Sequence, residues 1–427
     1  MFALGLQHVL AMYAGAVAVP LIVGSALHLS RGQQAFLISA DLFTCGIATL
    51  LQTIGLTRHL GIRLPVLLGV SFAAVGPMIS IGKTLGIQAV YGAIMCSGVL
   101  VMAAAGQMSR LRLFFPPVVT GSVVTIIGTS LMPVALHWAA GGVGAADYGA
   151  PGNLALAALV LGIITVVSRW GRGFLRTIAV LLGLLGGSVV AACVGKMTLA
   201  GVVAEPWVQI TTPFWFGPPQ FHLTAILSMS LVGLVCMIES NGVFMAMGQI
   251  TGRPITDHDL TRGLRAEGAA IFLGGCLNSF PYTTFSQNAG LVALTGVKSR
   301  YVVAMAGAIL VALGLLPKFA ALVAGIPVAV LGGAGIVMFG MVAAAGIRIL
   351  GEVDFEREHN MFIVAVSVGL GLGVTVVPQA FAVVPQSVRW LFSEGIVVGS
   401  LAAVFLNLIF NGSQGILFVR KKIRVEI

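Results

Sequence analysis

A polar, glycine-interrupted segment lies within a chain that is otherwise strongly apolar. Residues 281–296 read PYTTFSQNAGLVALTG. Irregular backbone at membrane depth must be buried in protein or line a watery cavity. Gln287 and Asn288 stand where a helix would begin, and a helix start offers free backbone N–H groups and the positive end of the helix dipole. We therefore interpret this segment as part of a solute-binding site.

Glu239 is the most informative single residue. It lies deep in the apolar run of residues 222–246, where a carboxylate is costly and is expected to face the protein interior. A binding or coupling role is the first hypothesis for such a residue, and a purely structural hydrogen bond between helices is the alternative.

Two further carboxylates have a less certain depth. Glu267 lies near the predicted start of the ninth span, so it is either a coupling group or an interfacial charge paired with Arg262 or Arg265. Asp41 lies near the predicted start of the second span and is interpreted as an edge charge.

Other polar or aromatic residues could contribute to the same site. Ser71 and Phe72 follow a short stretch that begins at Pro65. Ser71 could donate a hydrogen bond and Phe72 could stack on a flat ring, although most membrane phenylalanines simply pack. Gln7 and His8 form a polar pair in the first span that is expected to face inward, and an intramembrane histidine is either a packing residue or a ligand.

These residue types together indicate the class of ligand. Gln and Asn side chains carry both donors and acceptors. With one carboxylate, a stacking ring and helix-start N–H groups, they suit a planar heterocycle with a mixed donor and acceptor edge, as in a nucleobase. The chain has no HExxH, GxSxG or Walker A motif. This favours a solute carrier driven by an ion gradient over an enzyme or an ATP-driven pump, with no cofactor beyond the coupling ion.

The composition is that of a polytopic membrane protein. Apolar residues form 58% of the 427 residues and charged residues only 8%, against about 25% charged in soluble domains. The net charge of +10 comes without a basic stripe interleaved with aromatics, so nucleic acid is not an expected partner. Five cysteines without a CxxC pair predict neither a disulfide nor a metal site.

Apolar runs between polar residues predict about fourteen spans. The predicted spans cover residues 2–25, 34–56, 65–82, 86–106, 116–137, 153–169, 176–199, 222–246, 262–279, 281–297, 301–316, 327–349, 360–378 and 389–411. Alternate loops and the C-terminal tail hold 18 of the 23 Lys and Arg residues. By the positive-inside rule this predicts both termini in the cytoplasm of a cell inner (plasma) membrane.

The two halves of the chain resemble each other. PVLLGVSFAAVGPM from Pro65 and PYTTFSQNAGLVALTG from Pro281 are both the third span of their half. FPPVVTG around Pro116 and IPVAVLGG around Pro327 follow them. Seven spans per half is an odd number, which predicts an inverted repeat, and paired interrupted segments point to a site at the membrane midplane.

QNAGLVALTG at residues 287–296 is similar to the signature of the nucleobase–cation symporter-2 family, also called nucleobase–ascorbate transporters. The resemblance also covers GLQHVLAMYAGAVAVPLIVG, GVSFAAVGPM, FPPVVTG, NSFPYTTFSQN and GGAGIVMFGMVAAAGIRIL. It looks closest to the bacterial urate and xanthine permease branch.

The resemblance implies an all-α fold of fourteen helices in two inverted seven-helix repeats. Short antiparallel β-strands would precede the half-helices of spans 3 and 10, with the substrate between them. Spans 1–4 and 8–11 would form a core domain, and spans 5–7 and 12–14 a gate domain through which a homodimer forms, while the core moves as an elevator. The corresponding ranges are core 1–110 and 222–318, gate 111–200 and 319–412, and a basic cytoplasmic tail at 413–427.

The resemblance also implies roles for individual residues in a proton-coupled purine symporter. Glu239 and Gln287 would bind the purine edge, and Phe72, next to Ser71, would stack on the ring. Backbone N–H groups near Phe285 and Ser286 would contact substrate carbonyls. Asn288 would orient the site, and Glu267 and His8 would tune or couple it.

One position bears on coupling and three bear on the substrate. Purine carriers of the family usually have Asp at the position of Glu267, which weakens the assignment of coupling to it. The uracil branch has Glu at the position of Gln287 and His at that of Val243, which argues against uracil. After Thr295 many urate carriers have Arg where this chain has Gly296, as xanthine carriers often do, so urate and xanthine both stay open. An anion exchanger or channel on the same fold, or a sodium-coupled purine carrier, is the alternative function.

Overall fold

The computed structural model describes residues 1–108, 114–197, 200–356, 358–381 and 394–425. Almost all of the regular structure in them is helical. The predicted domain boundary at residues 110 and 111, and the first residues of the span predicted over 389–411, lie outside the described residues.

The described residues form two compact units, and the first comprises residues 1–105 and 133–338. Its helices are α1 (Phe2–Ala26), α2 (Arg31–Ile54), α3 (Val75–Leu85), α4 (Ile87–Ala104), α6 (Met132–Ala139), α7 (Pro151–Trp170), α8 (Phe174–Thr177), α9 (Ala179–Cys193), α10 (Ala200–Ala204), α11 (Leu223–Thr251), α12 (Asp257–Cys276), α13 (Ser286–Thr295), α14 (Arg300–Gly314), α15 (Pro317–Ala324) and the first part of α16 (Val328–Leu350).

The second unit comprises residues 106–132 and 339–427 in the same division of the chain. It holds α5 (Pro117–Ser130), the remainder of α16, α17 (Glu358–Val376) and α18 (Gly395–Val425), and α5 packs against both α17 and α18. Since α18 continues to Val425, it extends into the segment predicted as the basic tail.

Nine helical segments of the described chain are long and apolar enough to cross a membrane. A bent pair, α14 and α15, would raise that number to ten, and the two helices meet at 82°. Pro317 begins α15, and proline fits the first position of a helix because it lacks an N–H group. The described helices thus have the character of a polytopic membrane protein, and the number fourteen stays a prediction.

Two helices begin earlier than their apolar residues predict. α2 begins at Arg31 behind a capping box of Ser30 and Gln33. α12 begins at Asp257 behind a capping box of Thr256 and Asp259. Both first turns are polar, so an apolar run marks the start of these helices too late. Residues further along both helices therefore lie deeper than predicted.

A two-stranded antiparallel sheet lies among the helices of the first unit. β1 (Leu68–Val70) follows α2 and β2 (Tyr282–Thr284) follows α12, with Gly69 opposite Thr283. Side chains of neighbouring helices satisfy the outer edges of both strands. Thr49 Oγ1 of α2 accepts from the Leu68 N–H at 3.2 Å, and Ser240 Oγ of α11 accepts from the Thr284 N–H at 2.9 Å. This pairing leaves fewer backbone groups unsatisfied where water is scarce.

Glycines allow α4 and α12 to touch backbone to backbone. A Cβ at Gly98 of α4 would lie 2.5 Å from Phe272 N and 2.7 Å from Gly268 O, and a Cβ at Gly268 would lie 2.8 Å from Gly98 O. Small residues at such a crossing are the usual way for membrane helices to approach closely.

Gly98→Ala is expected to destabilise the protein by about 1–3 kcal/mol, because the added methyl group meets backbone that cannot move aside. The melting temperature of the purified protein measures the effect. Gly162→Ala on α7 is the matched control, since a Cβ there would meet no described residue within 4 Å and alanine is the better helix former. Equal melting temperatures for the two variants would contradict the close contact.

Candidate functional site

The two strands position two helix starts close to one another. Ser71 and Phe72 follow β1 and begin a 3-10 turn that leads into α3, and Phe285 follows β2 and precedes α13. Each strand has three residues, so the sheet is only about 10 Å long. α11 packs against β2, α3 and α13, and α1 packs against β1, α3 and α13. These elements bring most of the predicted site residues into one region.

Glu239 is anchored to the second strand. Thr283 Oγ1 of β2 donates to Glu239 Oε2 at 3.3 Å, and the Thr283 hydroxyl also pairs with Ser240 Oγ at 3.2 Å. The Glu239 side chain is half-buried, so part of it stays accessible. Sequence reasoning did not identify Thr283 and Ser240, because their role depends on the packing of α11 against β2.

Glu267 is fully buried in α12, with an exposed fraction of 0%. The Ser240 hydroxyl lies near its carboxylate, but neither carboxylate oxygen has a close hydrogen-bond partner among the described residues. Glu239 interacts with it electrostatically. The alternative of a solvated charge paired with Arg262 or Arg265 is therefore wrong, and Arg262 lies instead beside Asp259, with Nη1 at 3.9 Å from Oδ1. The early start of α12 explains this depth.

His8 and Asn288 form a buried pair that joins α1 to α13. Asn288 Nδ2 lies 3.1 Å from His8 Nδ1 and donates to the His8 carbonyl oxygen at 3.1 Å. A carbonyl oxygen can only accept, so the amide nitrogen must face it. His8 Nδ1 then accepts and its proton lies on Nε2. Asn288 Oδ1 is buried and has no hydrogen-bond partner within the described part of the chain.

The start of α13 offers fewer free backbone N–H groups than the sequence predicts. The Phe285 N–H donates to the Leu67 carbonyl at 3.0 Å, so it is not free to contact a substrate. The next N–H groups, from Ser286 onward, belong to the first helical turn and have no acceptor within the helix. The Ser286 and Gln287 side chains are exposed and can reach a ligand.

The Phe285 ring packs between α1 and the two-stranded sheet. The ring is 7% exposed. A Cβ at Gly69 of β1 would lie 2.6 Å from its Cζ, and a Cβ at Gly15 of α1 would lie 3.3 Å from its Cε2. The two glycines make room for the ring between α1 and the sheet.

The N–H group and the hydroxyl of Ser71 both form hydrogen bonds with backbone groups. Ser71 is 1% exposed, its N–H donates to the Pro281 carbonyl at 2.9 Å, and its Oγ accepts from the Ala73 N–H at 3.3 Å. Its hydroxyl therefore caps the 3-10 turn. Phe72 is half-buried, which leaves part of its ring accessible for stacking.

Thr295 and Gly296 lie at the other end of α13 from the helix start. The helix has ten residues and is therefore about 15 Å long. Thr295 Oγ1 donates to the Leu291 carbonyl at 2.8 Å. Gly296 ends the helix with a φ of 68°, a conformation that favours glycine. Helix termination therefore accounts for Gly296 without any contact to a substrate.

Asp41 is fully buried, so its interpretation as an edge charge is wrong. Its exposed fraction is 0%. Ser279 Oγ donates to Asp41 Oδ1 at 3.0 Å and Tyr282 OH donates to the same oxygen at 2.9 Å. Asp41 Oδ2 has no hydrogen-bond partner among the residues that the structure describes. Tyr282 belongs to β2, so this second buried carboxylate holds the strand that carries Thr283.

The arrangement suits recognition of a small polar solute. A partly accessible carboxylate, an accessible amide and first-turn N–H groups lie around one short sheet, with a half-buried ring nearby. Together they offer one strong acceptor, several donors and a stacking surface. Bond-breaking chemistry would require a positioned nucleophile and base, and the described arrangement does not supply this pair.

Comparisons with known proteins show that the chain is similar to permeases. Residues 1–380 match the Xan_ur_permease profile, which describes a permease family. The chain is 52% identical over 408 residues to the xanthine permease of Bacillus subtilis (strain 168), covering 96% of this chain and 93% of that protein. It is 51% identical over 415 residues to the uric acid permease PucJ of the same organism, covering 96% and 92%.

A solved structure shares the fold at low sequence identity. The transmembrane domain of the cyanobacterial bicarbonate transporter BicA superposes with a TM-score of 0.58 at 15% identity, covering 95% of this chain and 98% of that one. At this identity the similarity concerns the fold alone.

Proposed function

The chain belongs to the nucleobase–cation symporter-2 family of permeases, whose members are transporters and not enzymes, and on that premise we propose that it imports xanthine or urate by proton symport. The observation that carries this proposal is the position of Glu239. It is bonded to Thr283 of β2, half-buried beside the start of α13. A carboxylate there can accept an N–H group of a purine and can also take up or release a proton.

Other residues near Glu239 can contact the remaining parts of a bound purine. Gln287 can pair with the purine edge, first-turn N–H groups from Ser286 onward can donate to ring carbonyls, and Phe72 can stack on the ring. Asn288 and His8, bonded to each other, hold α13 against α1. Glu267 is the second titratable group and interacts electrostatically with Glu239, so it is the partner we propose for proton coupling.

We propose further that the fourteen predicted spans form two inverted repeats, with both termini in the cytoplasm of a plasma membrane. The paired strands support this, because β1 and β2 come from the third span of each predicted half. Core and gate domains, an elevator movement and a homodimer follow from the resemblance to the family and stay predictions.

Uptake of labelled xanthine and urate into proteoliposomes tests the function. We expect an inward proton gradient to accelerate uptake several-fold, and a protonophore to abolish the acceleration. A matched sodium gradient without a proton gradient is the control. Acceleration by sodium and none by protons would overturn proton coupling, although purine transport would stand.

An anion exchanger on the same fold is distinguished in the same vesicles. Glu239 argues against it, because its carboxylate offers acceptors for the N–H groups of a purine, and chloride and sulfate have no such donors. Chloride or sulfate flux that purines do not inhibit, together with absent purine uptake, would favour the anion exchanger.

A further inference from the structure

Two arginines, Arg253 and Arg262, contact one aspartate at the start of α12, and a third, Arg63, lies near them. Arg253 lies in the connection from α11 to α12, and Asp259 and Arg262 lie in the first two turns of α12. Arg63 lies in the connection from α2 to β1. Arg253 Nη2 lies 2.7 Å from Asp259 Oδ1, and Arg262 Nη1 lies 3.9 Å from the same oxygen. Arg63 and Arg253 both interact electrostatically with Arg262.

Asp259 has little capacity left for a third arginine. Its Oδ1 serves both Arg253 and Arg262. Its Oδ2 accepts from Thr256 Oγ1 at 2.9 Å and from the Thr256 N–H at 3.4 Å, which completes the capping box of α12. Within the described part of the chain, no other carboxylate lies within 4.0 Å of these guanidinium groups. The cluster therefore carries an excess positive charge of two.

Several guanidinium donors in the cluster are buried and unused. Arg63 Nε, Arg262 Nε and Arg262 Nη2 have no hydrogen-bond partner among the described residues. The Arg262 side chain is only 11% exposed, whereas that of Arg253 is 40% exposed. Leaving donors of a charged group buried without a partner costs free energy. A bound anion would accept hydrogen bonds from the unused donors and would neutralise part of the excess positive charge.

The backbone holds the cluster in place. Arg253 Nη1 donates to the Arg63 carbonyl at 3.4 Å, and the Gly61 N–H donates to the Arg262 carbonyl at 3.1 Å. Arg63 itself has a φ of 60°, which is uncommon for a residue other than glycine. The Arg253 guanidinium group is thus bonded to the backbone of Arg63, and the backbone before Arg63 is bonded to that of Arg262, before any ligand arrives.

We propose that Arg63, Arg253 and Arg262 form a binding site for a phosphate group, either of an anionic lipid headgroup or of a soluble phosphate. A tetrahedral oxyanion offers several oxygens to several planar guanidinium groups, and arginine pairs with phosphate through two parallel hydrogen bonds. The charge bias assigns this end of α12 to the cytoplasmic face, where anionic lipids and soluble phosphates are both found. Arg253 provides the accessible edge, and Arg262 provides the inner donors.

Thermal stability of the purified full-length chain tests this site, since a ligand of the folded state raises apparent stability by mass action. One arm adds phosphatidylglycerol to detergent micelles, with phosphatidylcholine as its comparison. The other adds inorganic phosphate, with sodium chloride at equal ionic strength as its comparison. We expect a saturable rise in melting temperature in at least one arm, and half-saturation at a concentration at least about tenfold higher in Arg262→Gln, which loses charge-assisted hydrogen bonds.

Arg63→Gln provides a second variant in case Arg262→Gln does not fold, and it should weaken the same effect. Arg172→Gln is the matched control, because Arg172 is exposed between α7 and α8 on the same predicted face. A rise with phosphatidylglycerol alone assigns the site to a lipid headgroup, and a rise with phosphate alone assigns it to a soluble ligand. No rise in either arm, or an equal rise in Arg262→Gln and Arg63→Gln, would overturn the proposal whether or not the chain transports purines.

Discussion

Glu239→Gln is expected to abolish gradient-driven purine accumulation while the protein stays folded. Glutamine has nearly the same shape and can still accept the hydrogen bond that Thr283 Oγ1 donates across 3.3 Å. It cannot release a proton, and its amide can turn a donor toward the N–H group of a purine. A hydrogen bond to a charged group contributes about 1.5–3 kcal/mol, so purine affinity should also fall by about tenfold to a hundredfold.

Two measurements separate these effects of Glu239→Gln. Accumulation of labelled xanthine or urate under an inward proton gradient reports coupling, and exchange of internal for external purine without a gradient reports binding and movement. Glu352→Gln is the matched control, because Glu352 is exposed just after α16. Unchanged gradient-driven accumulation in Glu239→Gln would refute its role. Loss of both accumulation and exchange would place Glu239 in binding, and loss of accumulation alone would place it in coupling.

Local signals in the sequence were sufficient for the class of protein and for several site residues. A charged or polar residue in an apolar run is visible without any knowledge of the fold, and the cost of exposing it to lipid fixes where it must face. His8 agrees with its inward-facing interpretation, since it is 2% exposed. The bonds that hold Glu239 and Asn288 could not be predicted, because Thr283 and His8 lie far from them along the chain.

The depth of Asp41 and Glu267 was misjudged for one physical reason. An apolar run marks only the first apolar residue of a helix, whereas the backbone becomes helical directly after the N-cap. The capping boxes at Ser30 and Thr256 were the signals that could have corrected this. Asp41 lies about 15 Å beyond Arg31 along α2, which is half of a hydrocarbon core about 30 Å thick.

Asp41→Ala is expected to destabilise the protein by about 1–3 kcal/mol and to impair purine transport. The Asp41 carboxylate accepts from Ser279 Oγ at 3.0 Å and from Tyr282 OH at 2.9 Å. Removing it takes one acceptor from each of these buried hydroxyl groups, although Ser279 Oγ lies 2.6 Å from Tyr282 OH and can still pair with it. Weakening this buried network is expected to cost about 1–3 kcal/mol. Tyr282 OH also donates to the Asp41 carbonyl at 3.2 Å, so the tyrosine would keep one bond. β2 would then be held less firmly, and Thr283 next to Tyr282 would no longer fix Glu239.

Asp41→Asn distinguishes positioning of β2 from proton transfer. Asparagine keeps an oxygen that can accept from both hydroxyl groups but cannot titrate near neutral pH, so it should restore the melting temperature and the KM for purine if Asp41 only positions the strand. The melting temperature together with KM and kcat for proteoliposome uptake checks this, and Asp257→Ala, at an exposed first-turn position of α12, is the control. Restored stability with uptake that no longer responds to a proton gradient would instead make Asp41 part of the coupling pathway. Wild-type stability and uptake in Asp41→Ala would show that this buried cluster does not hold the site.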